Sequence, residues 1–343
     1  MKKVEKVKKL WGKLTDRFWR AKCDYIKYYD KLPIDQNTIL LESEHGKKID
    51  GNIFYILRYL SQNEAYSSYK IYLSSMGRYK RKIIRFLELH DISNVTVILL
   101  ASDEYMRILA SAKYLINDTS FGPYFIKKED QVYLNTWHGT PLKTLGRADK
   151  AEYYNLANVQ KNFMVSDYLL YPNRYTMEHM IEDYMLQNIS QGKYIIAGYP
   201  RNEIFFDETS RTLIKQELEL SEKKIYAYLP TYRGNHRDGK NFRNTTYLAY
   251  YLFELDAALD DNEIFYVNLH PLAQKDIDFC SFKHIRTFPP QYEVYEFLNC
   301  ADVLVTDYSS VFYDYAVSSR KIVLFPYDEE EYIASRGMYM QLD

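Results

Sequence analysis

The segment QVYLNTWHGTPLK, residues 131–143, decides the fold of this chain. Residues 131–136 form a short apolar run that predicts a buried β-strand. A polar turn at Trp137-His138-Gly139 follows directly, and Thr140-Pro141 is a pair that commonly opens a helix. A strand that leads through a polar turn into a helix is the repeating unit of a parallel α/β sheet.

The same alternation of short apolar runs and longer helical stretches extends in both directions. Predicted strands lie at 38–41, 69–73, 95–100, 114–116 and 131–136, and then at 224–229, 264–269, 303–306 and 321–325. A polar stretch near residue 207 separates the two groups. We therefore predict two Rossmann-like domains whose parallel sheets face a central cleft. The predicted boundaries are 1–30 for an N-terminal helix, 31–205 for the first domain and 206–343 for the second.

The first twenty residues have the pattern of a basic amphipathic helix. Eight Lys or Arg stand against two acids there, and apolar residues recur at alternating spacings of three and four, at Val4, Val7, Trp11, Leu14 and Phe18. Such a helix can lie in the headgroup region of an anionic membrane. The same stripe would also suit packing on the protein itself or on a twin subunit.

Composition excludes several classes of protein. The three cysteines are isolated, too few for a disulfide framework or a four-cysteine zinc site, and are expected to be buried thiols in a reducing cytoplasm. No secretion signal and no membrane-spanning run is predicted. Sequence patterns for a protein-held metal, a P-loop or a dinucleotide-binding turn are absent, which argues against a kinase or a dehydrogenase. Because the net excess of basic over acidic residues lies in residues 1–20, on a mildly acidic remainder, nucleic acid is not an expected partner.

Ligands of open parallel sheets bind beyond the carboxyl ends of the strands, and this rule selects His138. Gly139 after it permits close backbone approach, and Lys143 adds a positive charge for a phosphate. A purely structural turn is the alternative for this loop. His45, in the loop after the first strand, is a candidate for the acceptor side.

Two further loops follow strands in the second domain. His270 stands at a strand tip before Pro271 and could donate to phosphate or act as acid or base, although a turn histidine bonded to backbone is the alternative. Arg233, close to Thr231, could bind a phosphate with two hydrogen bonds, or belong to a solvated basic loop.

Ser309 and Ser310 follow the strand that ends at Thr306. They are expected at the start of a helix, where hydroxyls and backbone N–H groups suit a diphosphate, although plain helix capping is the competing interpretation. Asp307 could orient a histidine or a ligand hydroxyl, or cap the same helix.

Three ordered motifs resemble the CDP-glycerol glycerophosphotransferase family of teichoic-acid and capsule synthesis. They are LNTWHGTPLK at 134–143, LHP at 269–271 and TDYSSVFYD at 306–314, and the resemblance runs from about residue 130 to Tyr339. It implies a GT-B architecture with an acceptor-binding N-terminal domain and a donor-binding C-terminal domain. Members usually continue past the match to Arg336-Gly337, so it also implies a C-terminal domain shortened at its end.

The resemblance implies an enzyme that transfers glycerol phosphate or ribitol phosphate from a CDP-activated donor to an undecaprenyl-diphosphate-linked saccharide, with release of CMP. It would work at the cytoplasmic face of the bacterial membrane as a peripheral protein, without a cofactor; its need for a divalent ion and its oligomeric state stay open. By motif match His138 is the general base and His270 a second catalytic or pyrophosphate-binding histidine. The other predicted site residues are Thr231, Arg233, Thr306, Asp307, Ser309 and Ser310 for the donor, and Gly139, Thr140, Lys143 and His45 for the acceptor or a phosphate.

Two rival functions share these features. A GT-B glycosyltransferase that uses a nucleotide sugar would have the same architecture, and would release a nucleoside diphosphate instead of CMP. A non-catalytic, membrane-bound scaffold would keep the fold without bringing the two histidines to one cleft.

Overall fold

Strands and helices alternate through most of the described residues of this protein in the computed structural model. It describes residues 17–149, 156–231, 245–269, 274, 277–326, 329–330, 332 and 337–340, with backbone alone at 17–20 and 245–249. The chain divides into two compact units. The first comprises residues 1–138 and 145–200, and the second comprises residues 139–144 and 201–343.

The described part of the first unit contains seven strands and six α-helices. In chain order they are α1 (Arg17–Tyr29), β1 (Asp35–Glu42), α2 (Gly51–Gln62), β2 (Lys70–Ser75), α3 (Lys80–Leu89), β3 (Val95–Leu99), α4 (Asp103–Ser111), β4 (Ala112–Asn117), β5 (Val132–Asn135), α5 (Leu156–Val165), β6 (Tyr168–Tyr171), α6 (Arg174–Asp183) and β7 (Lys193–Ile196). The strands form one sheet in the order β3-β2-β1-β4-β5-β6-β7, and every neighbouring pair is parallel. The predicted α/β class with parallel strands is therefore confirmed for this unit.

Tyrosine side chains fill much of the core of the first unit. Tyr25, Tyr105 and Tyr133 are fully buried together with Phe121 and Phe125. A buried phenol needs a partner for its hydroxyl. Tyr25 donates to the carbonyl of Ile126 at 2.6 Å, which fastens α1 to the loop before β5.

The described part of the second unit contains a smaller sheet of the same kind. Its elements are α7 (Glu208–Glu217), β8 (Lys224–Leu229), α8 (Thr245–Ala258), β9 (Glu263–Val267), β10 (Ile285–Thr287), α9 (Val294–Cys300), β11 (Val303–Thr306), α10 (Val311–Tyr315) and β12 (Lys321–Leu324). The five strands run parallel in the order β10-β9-β8-β11-β12.

The helix expected to open at Thr140-Pro141 does not form, so this prediction was wrong. Residues 139–144 run extended, and Lys143 forms an antiparallel bridge with Met338. Tyr339 N–H donates to the carbonyl of Leu142 at 3.0 Å. Leu142 itself is buried against Tyr308 and Tyr332, and this distant packing overrides the local helix signal.

Two further expectations have different outcomes. Only Cys300 is a buried thiol, whereas Cys23 and Cys280 are exposed, so the expectation that all three are buried was wrong. Most of the basic amphipathic segment at 1–20 lies outside the described residues. Among the described residues, no helix is both long enough and apolar enough to cross a membrane.

Candidate functional site

His138 is exposed and lies just beyond the carboxyl end of β5. It directly follows Trp137, which is buried and has a left-handed backbone conformation. Trp137 before it has a φ of 51°, a conformation that side-chain-bearing residues seldom adopt. Asn135 Oδ1 accepts from Trp137 N–H at 2.9 Å, and Asn52 Nδ2 donates to the Trp137 carbonyl at 3.3 Å. The indole packs edge-on against Phe163. The buried tryptophan therefore turns the chain, and the next side chain emerges at the sheet edge.

One hydrogen bond defines the orientation of the His138 ring. Its Nδ1 lies 2.9 Å from the carbonyl oxygen of Asp118, which can only accept, so Nδ1 carries the proton. In the neutral ring, Nε2 is then the nitrogen that bears the lone pair. The Trp137 ring stacks beside the imidazole with centroids 4.0 Å apart. This is the arrangement that a general base requires: a fixed tautomer with a basic nitrogen on the other side.

Asp118 connects His138 to the loop after β1. Its carboxylate accepts from Ser43 Oγ and from Glu44 N–H, each at 3.0 Å, while its carbonyl holds His138. The side chain is buried, and it forms no ion pair with a cation among the residues that the structure describes. Burial raises the pKa of Asp118 to about 8, and the nearby acids Glu44 and Asp50 act in the same direction.

A second buried carboxyl lies at the same edge of the sheet. Glu42 ends β1 and accepts from Tyr105 Oη at 2.8 Å and from Ser74 Oγ at 2.9 Å. Burial raises its pKa to about 7, although these hydrogen bonds act in the opposite direction. The carboxyl ends of β1 and β4 are thus linked by acid groups whose charge depends on pH near neutrality.

His45 also lies at this edge, on a strained turn. Glu44 and His45 have φ values of 47° and 55°, and Gly46 follows at 73°. The His45 ring is exposed, with Nδ1 3.5 Å from Thr119 Oγ1. Surrounding protein atoms lower the pKa of His45, and repulsion from Lys47 and His138 adds to this. Strained residues commonly mark functional sites, and here the strain presents a second imidazole near His138.

In the second unit, Gly139 lies against Ser310. A β-carbon on Gly139 would come within 2.8 Å of Ser310 Oγ and 3.7 Å of an Arg201 guanidinium nitrogen. The Ser310 hydroxyl makes no capping hydrogen bond to α10, and Ser309 Oγ accepts only weakly from Val311 N–H at 3.5 Å. α10 itself has five residues. Neither serine therefore caps this helix strongly, and glycine at position 139 lets the backbone approach the Ser310 hydroxyl without displacing it.

Arg201 is fixed by a buried ion pair beside these residues. Its guanidinium donates to Asp314 Oδ2 at 2.7 Å, and Tyr295 Oη donates to the same oxygen at 2.8 Å. The guanidinium also lies over the Tyr295 ring, 4.9 Å from the centroid. The pair joins the segment at 201 to α10, which begins directly after Ser310.

Asp307 and Thr306 are buried and bonded within the second unit. Asp307 Oδ1 accepts from Thr231 N–H at 2.8 Å and from Tyr308 N–H at 2.6 Å. Thr306 Oγ1 donates to the carbonyl of Leu229 at 2.7 Å. The contacts hold Thr231 and the end of β8 against the segment at 306–308, and this positioning is the role that the geometry supports for both side chains.

The remaining predicted residues have varied positions. Thr140 is buried, and Lys143 is half-buried with Nζ 5.5 Å from the centroid of the Tyr332 ring. His270 and Arg233 lie outside the described residues. Within the part of the chain that the structure describes, no group of three or more His, Cys, Asp or Glu side chains is placed to hold a metal ion.

Sequence analysis missed Asp118 and Arg201. Asp118 follows the predicted strand at 114–116, so the rule that selected His138 also applies to its loop. Arg201 lies close to the predicted boundary between the two domains, at 205/206. No local pattern marks it, because its partner Asp314 is 113 residues away.

Comparison with known proteins identifies the family. The family described as CDP-glycerol:poly(glycerophosphate) glycerophosphotransferase matches residues 25–343. A teichoic acid poly(glycerol phosphate) polymerase of Bacillus spizizenii is 30% identical over 91% of this chain and 79% of its own length. The polymerase of the same name from Bacillus subtilis is 28% identical over 99% of this chain, which spans 45% of that relative.

Solved structures agree with this assignment. A structure of the wall teichoic acid polymerase TagF, a histidine variant soaked with CDPG, superposes with a TM-score of 0.77 at 26% identity, covering 98% of this chain and 83% of that one. The family match extends over nearly the whole chain, including all the motifs described above. This chain therefore belongs to the CDP-glycerol:poly(glycerophosphate) glycerophosphotransferase family.

Proposed function

We propose that this protein transfers a polyol phosphate, glycerol phosphate in the first instance, from a CDP-activated donor to a lipid-linked acceptor. The observation that carries the proposal is the hydrogen bond from His138 Nδ1 to the Asp118 carbonyl. It leaves the lone pair of the neutral ring on Nε2, as a base acting on a hydroxyl requires. Family membership and the names of the relatives supply the donor and the polymer class.

The proposed reaction is a single displacement at phosphorus. The acceptor hydroxyl forms a new oxygen–phosphorus bond to the phosphate that carries the polyol. The bond from that phosphorus to the bridging oxygen breaks, and CMP leaves with the electron pair. His138 Nε2 takes the hydroxyl proton, while the Asp118 carbonyl oxygen accepts from Nδ1–H and stabilises the imidazolium that forms.

The second unit is proposed to hold the donor. Its candidates are Ser309, Ser310 and Thr231, with His270 and Arg233 stabilising the negative charge of the diphosphate. Gly139 shapes the position next to Ser310. The first unit would then bind the acceptor, with His45 beside the base.

The place of action is proposed to be the cytoplasmic face of a bacterial membrane, where a polyprenyl-diphosphate-linked saccharide is accessible. The basic segment at 1–20 would make the membrane contact, since eight cations against two acids suit an anionic surface.

The direct test is a donor screen. The full chain is incubated with CDP-glycerol, CDP-ribitol or a nucleotide sugar and a lipid-linked disaccharide, and the products are analysed by mass. The proposal predicts addition of a polyol phosphate and stoichiometric CMP. A product that carries a sugar, with release of a nucleoside diphosphate, would instead show a glycosyltransferase, and no transfer from any donor would favour a scaffold.

A further inference from the structure

A dense cluster of cations lies at the start of α3. Residues 78–85 carry five of them, and no acid occurs between residues 76 and 87. We name this the α3 basic surface: Arg78, Lys80, Arg81, Lys82 and Arg85. Four are exposed and Lys80 is half-buried. None forms an ion pair with any residue that the structure describes.

The cations in the first turn of α3 form no ion pair with any described residue, and the only other contact of the set is that of Arg78, whose guanidinium lies over the Tyr79 ring, 4.7 Å from the centroid. Lys80, Arg81 and Lys82 occupy the first turn of α3, which contains no acid, and Tyr79 before them makes no side-chain cap. The N-terminus of a helix carries partial positive charge, so cations there are unfavourable. α3 is attached to the first unit by Ile83 and Leu87, on its apolar face. Unpaired cations that oppose the helix dipole indicate an anionic ligand.

The α3 basic surface lies at the same edge of the sheet as His138. α3 follows the carboxyl end of β2, and β2 is separated from β5 by β1 and β4. Three strand spacings amount to about 14 Å. The two loops in between are joined, because Met76 N–H donates to the Gly46 carbonyl at 2.7 Å and a β-carbon on Gly46 would come within 2.9 Å of Met76 N. Exposed Lys47 on that turn continues the positive charge toward His45.

We propose that the α3 basic surface binds the phosphodiester backbone of an acceptor chain that already carries polyol phosphates. The inference rests on the proposed function and narrows its acceptor: the hydroxyl at the chain end lies at His138, and earlier phosphates of the same chain lie along α3. Spaced phosphates match spaced cations, as in the binding of single-stranded nucleic acid backbones.

A polyanionic chain fits this surface better than a membrane does. Helices that lie in a bilayer surface place aromatic and leucine side chains beside their lysines. On α3 the exposed residues are cations and Glu88, and the one exposed large apolar side chain is Leu89, at the last position. The cations surround the first turn, at the opposite end of the helix.

The first measurement is binding without catalysis. The probe is a fluorescent oligo(glycerol phosphate) of several repeats, titrated with the full chain and followed by anisotropy. Lys82→Gln should weaken binding about 3-fold and Arg81→Gln/Lys82→Gln about 10-fold, and the double variant should lower the salt dependence by about one to two units of slope. The matched control is Lys193→Gln, an equally exposed lysine of the same unit that begins β7 at the opposite edge of the sheet, and its affinity should be unchanged.

Charge reversal separates binding from folding. Arg81→Glu places an acid in the first turn of α3, where it is favourable, so this variant should melt at or above the wild-type temperature and yet lose oligomer binding. In turnover, the double variant should raise KM for an oligomeric acceptor about 10-fold. KM for CDP-glycerol and turnover of a glycerol phosphate monomer acceptor should stay as in wild type.

Three results would overturn the inference. The wild type could fail to bind the oligomer, or the double variant could bind it as tightly as wild type. In the third result, the double variant binds the oligomer as wild type does but no longer binds phosphatidylglycerol vesicles, which would assign the surface to membrane binding. If the variants lose oligomer binding while the wild type transfers nothing from CDP-glycerol, the surface is supported and the proposed function fails.

Discussion

Replacing Asp118 by asparagine should make the stability of the first unit less dependent on pH. The Asp118 carboxyl is buried and its pKa is raised from about 3.8 to about 8. Between these values the folded protein keeps a proton that the unfolded chain has released. The free energy of unfolding therefore falls as pH rises, by about 1.4 kcal/mol per pH unit, and the loss is complete above pH 8. Asparagine has no such proton and preserves the shape of the side chain.

Between pH 5 and pH 7, the free energy of unfolding of Asp118→Asn should rise by about 3 kcal/mol relative to that of wild type. Urea unfolding measures this free energy. With Trp11→Phe and Trp19→Phe in both proteins, Trp137 is the only tryptophan left, and its fluorescence reports on the first unit. Asp35→Asn is the control. The ion pair with Lys70 lowers the pKa of Asp35, so this carboxyl is ionised in both the folded and the unfolded protein between pH 5 and pH 7. A difference for Asp118→Asn that is constant across pH would refute the reasoning.

Two further predictions concern the second unit. Arg201→Leu leaves the buried Asp314 carboxylate without its cation and should lower the free energy of unfolding by about 3–5 kcal/mol, measured by thermal unfolding. The double change Arg201→Leu/Asp314→Leu should recover most of this loss. A loss below about 1 kcal/mol for the single change would contradict the ion-pair argument. Gly337 has a φ of 71°, and a β-carbon there would lie 2.9 Å from Thr144 Oγ1. Gly337→Ala should therefore lower the free energy of unfolding in denaturant by at least about 1 kcal/mol. An unchanged unfolding midpoint would count against the pairing of 142–144 with 337–339.

Sequence patterning predicts most of the sheets because buried parallel strands appear as apolar runs. All nine predicted strands correspond to observed ones, and β8 and β11 agree to the residue. The three missed strands, β6, β7 and β10, have three or four residues each. β6 and β7 do contain apolar runs, at Tyr168–Tyr171 and at residues 194–196, so a signal for these two strands was present in the sequence. Length alone does not explain the omission, because β5, β11 and β12 also have four residues each and were predicted.

Site residues could be predicted where residue type and position after a strand identify them. They could not where contacts with residues distant in the sequence determine the conformation. His138 follows from its place after β5. Its orienting partner is a backbone carbonyl, and any residue at position 118 supplies one. The extended course of 139–144 depends on residues 337–339, almost two hundred positions away, which a local helix signal cannot register.

The measurement that tests the central claim most directly is the rate of CMP release by His138→Ala with CDP-glycerol and an acceptor. Donor affinity should stay at the wild-type value by calorimetry while the rate falls about 10²- to 10⁴-fold, the usual contribution of a general base. His179→Ala, in a half-buried histidine of α6 beside Asp183, is the matched control and should keep full activity. A His138→Ala protein that releases CMP at the wild-type rate would contradict the assignment of His138 as the base.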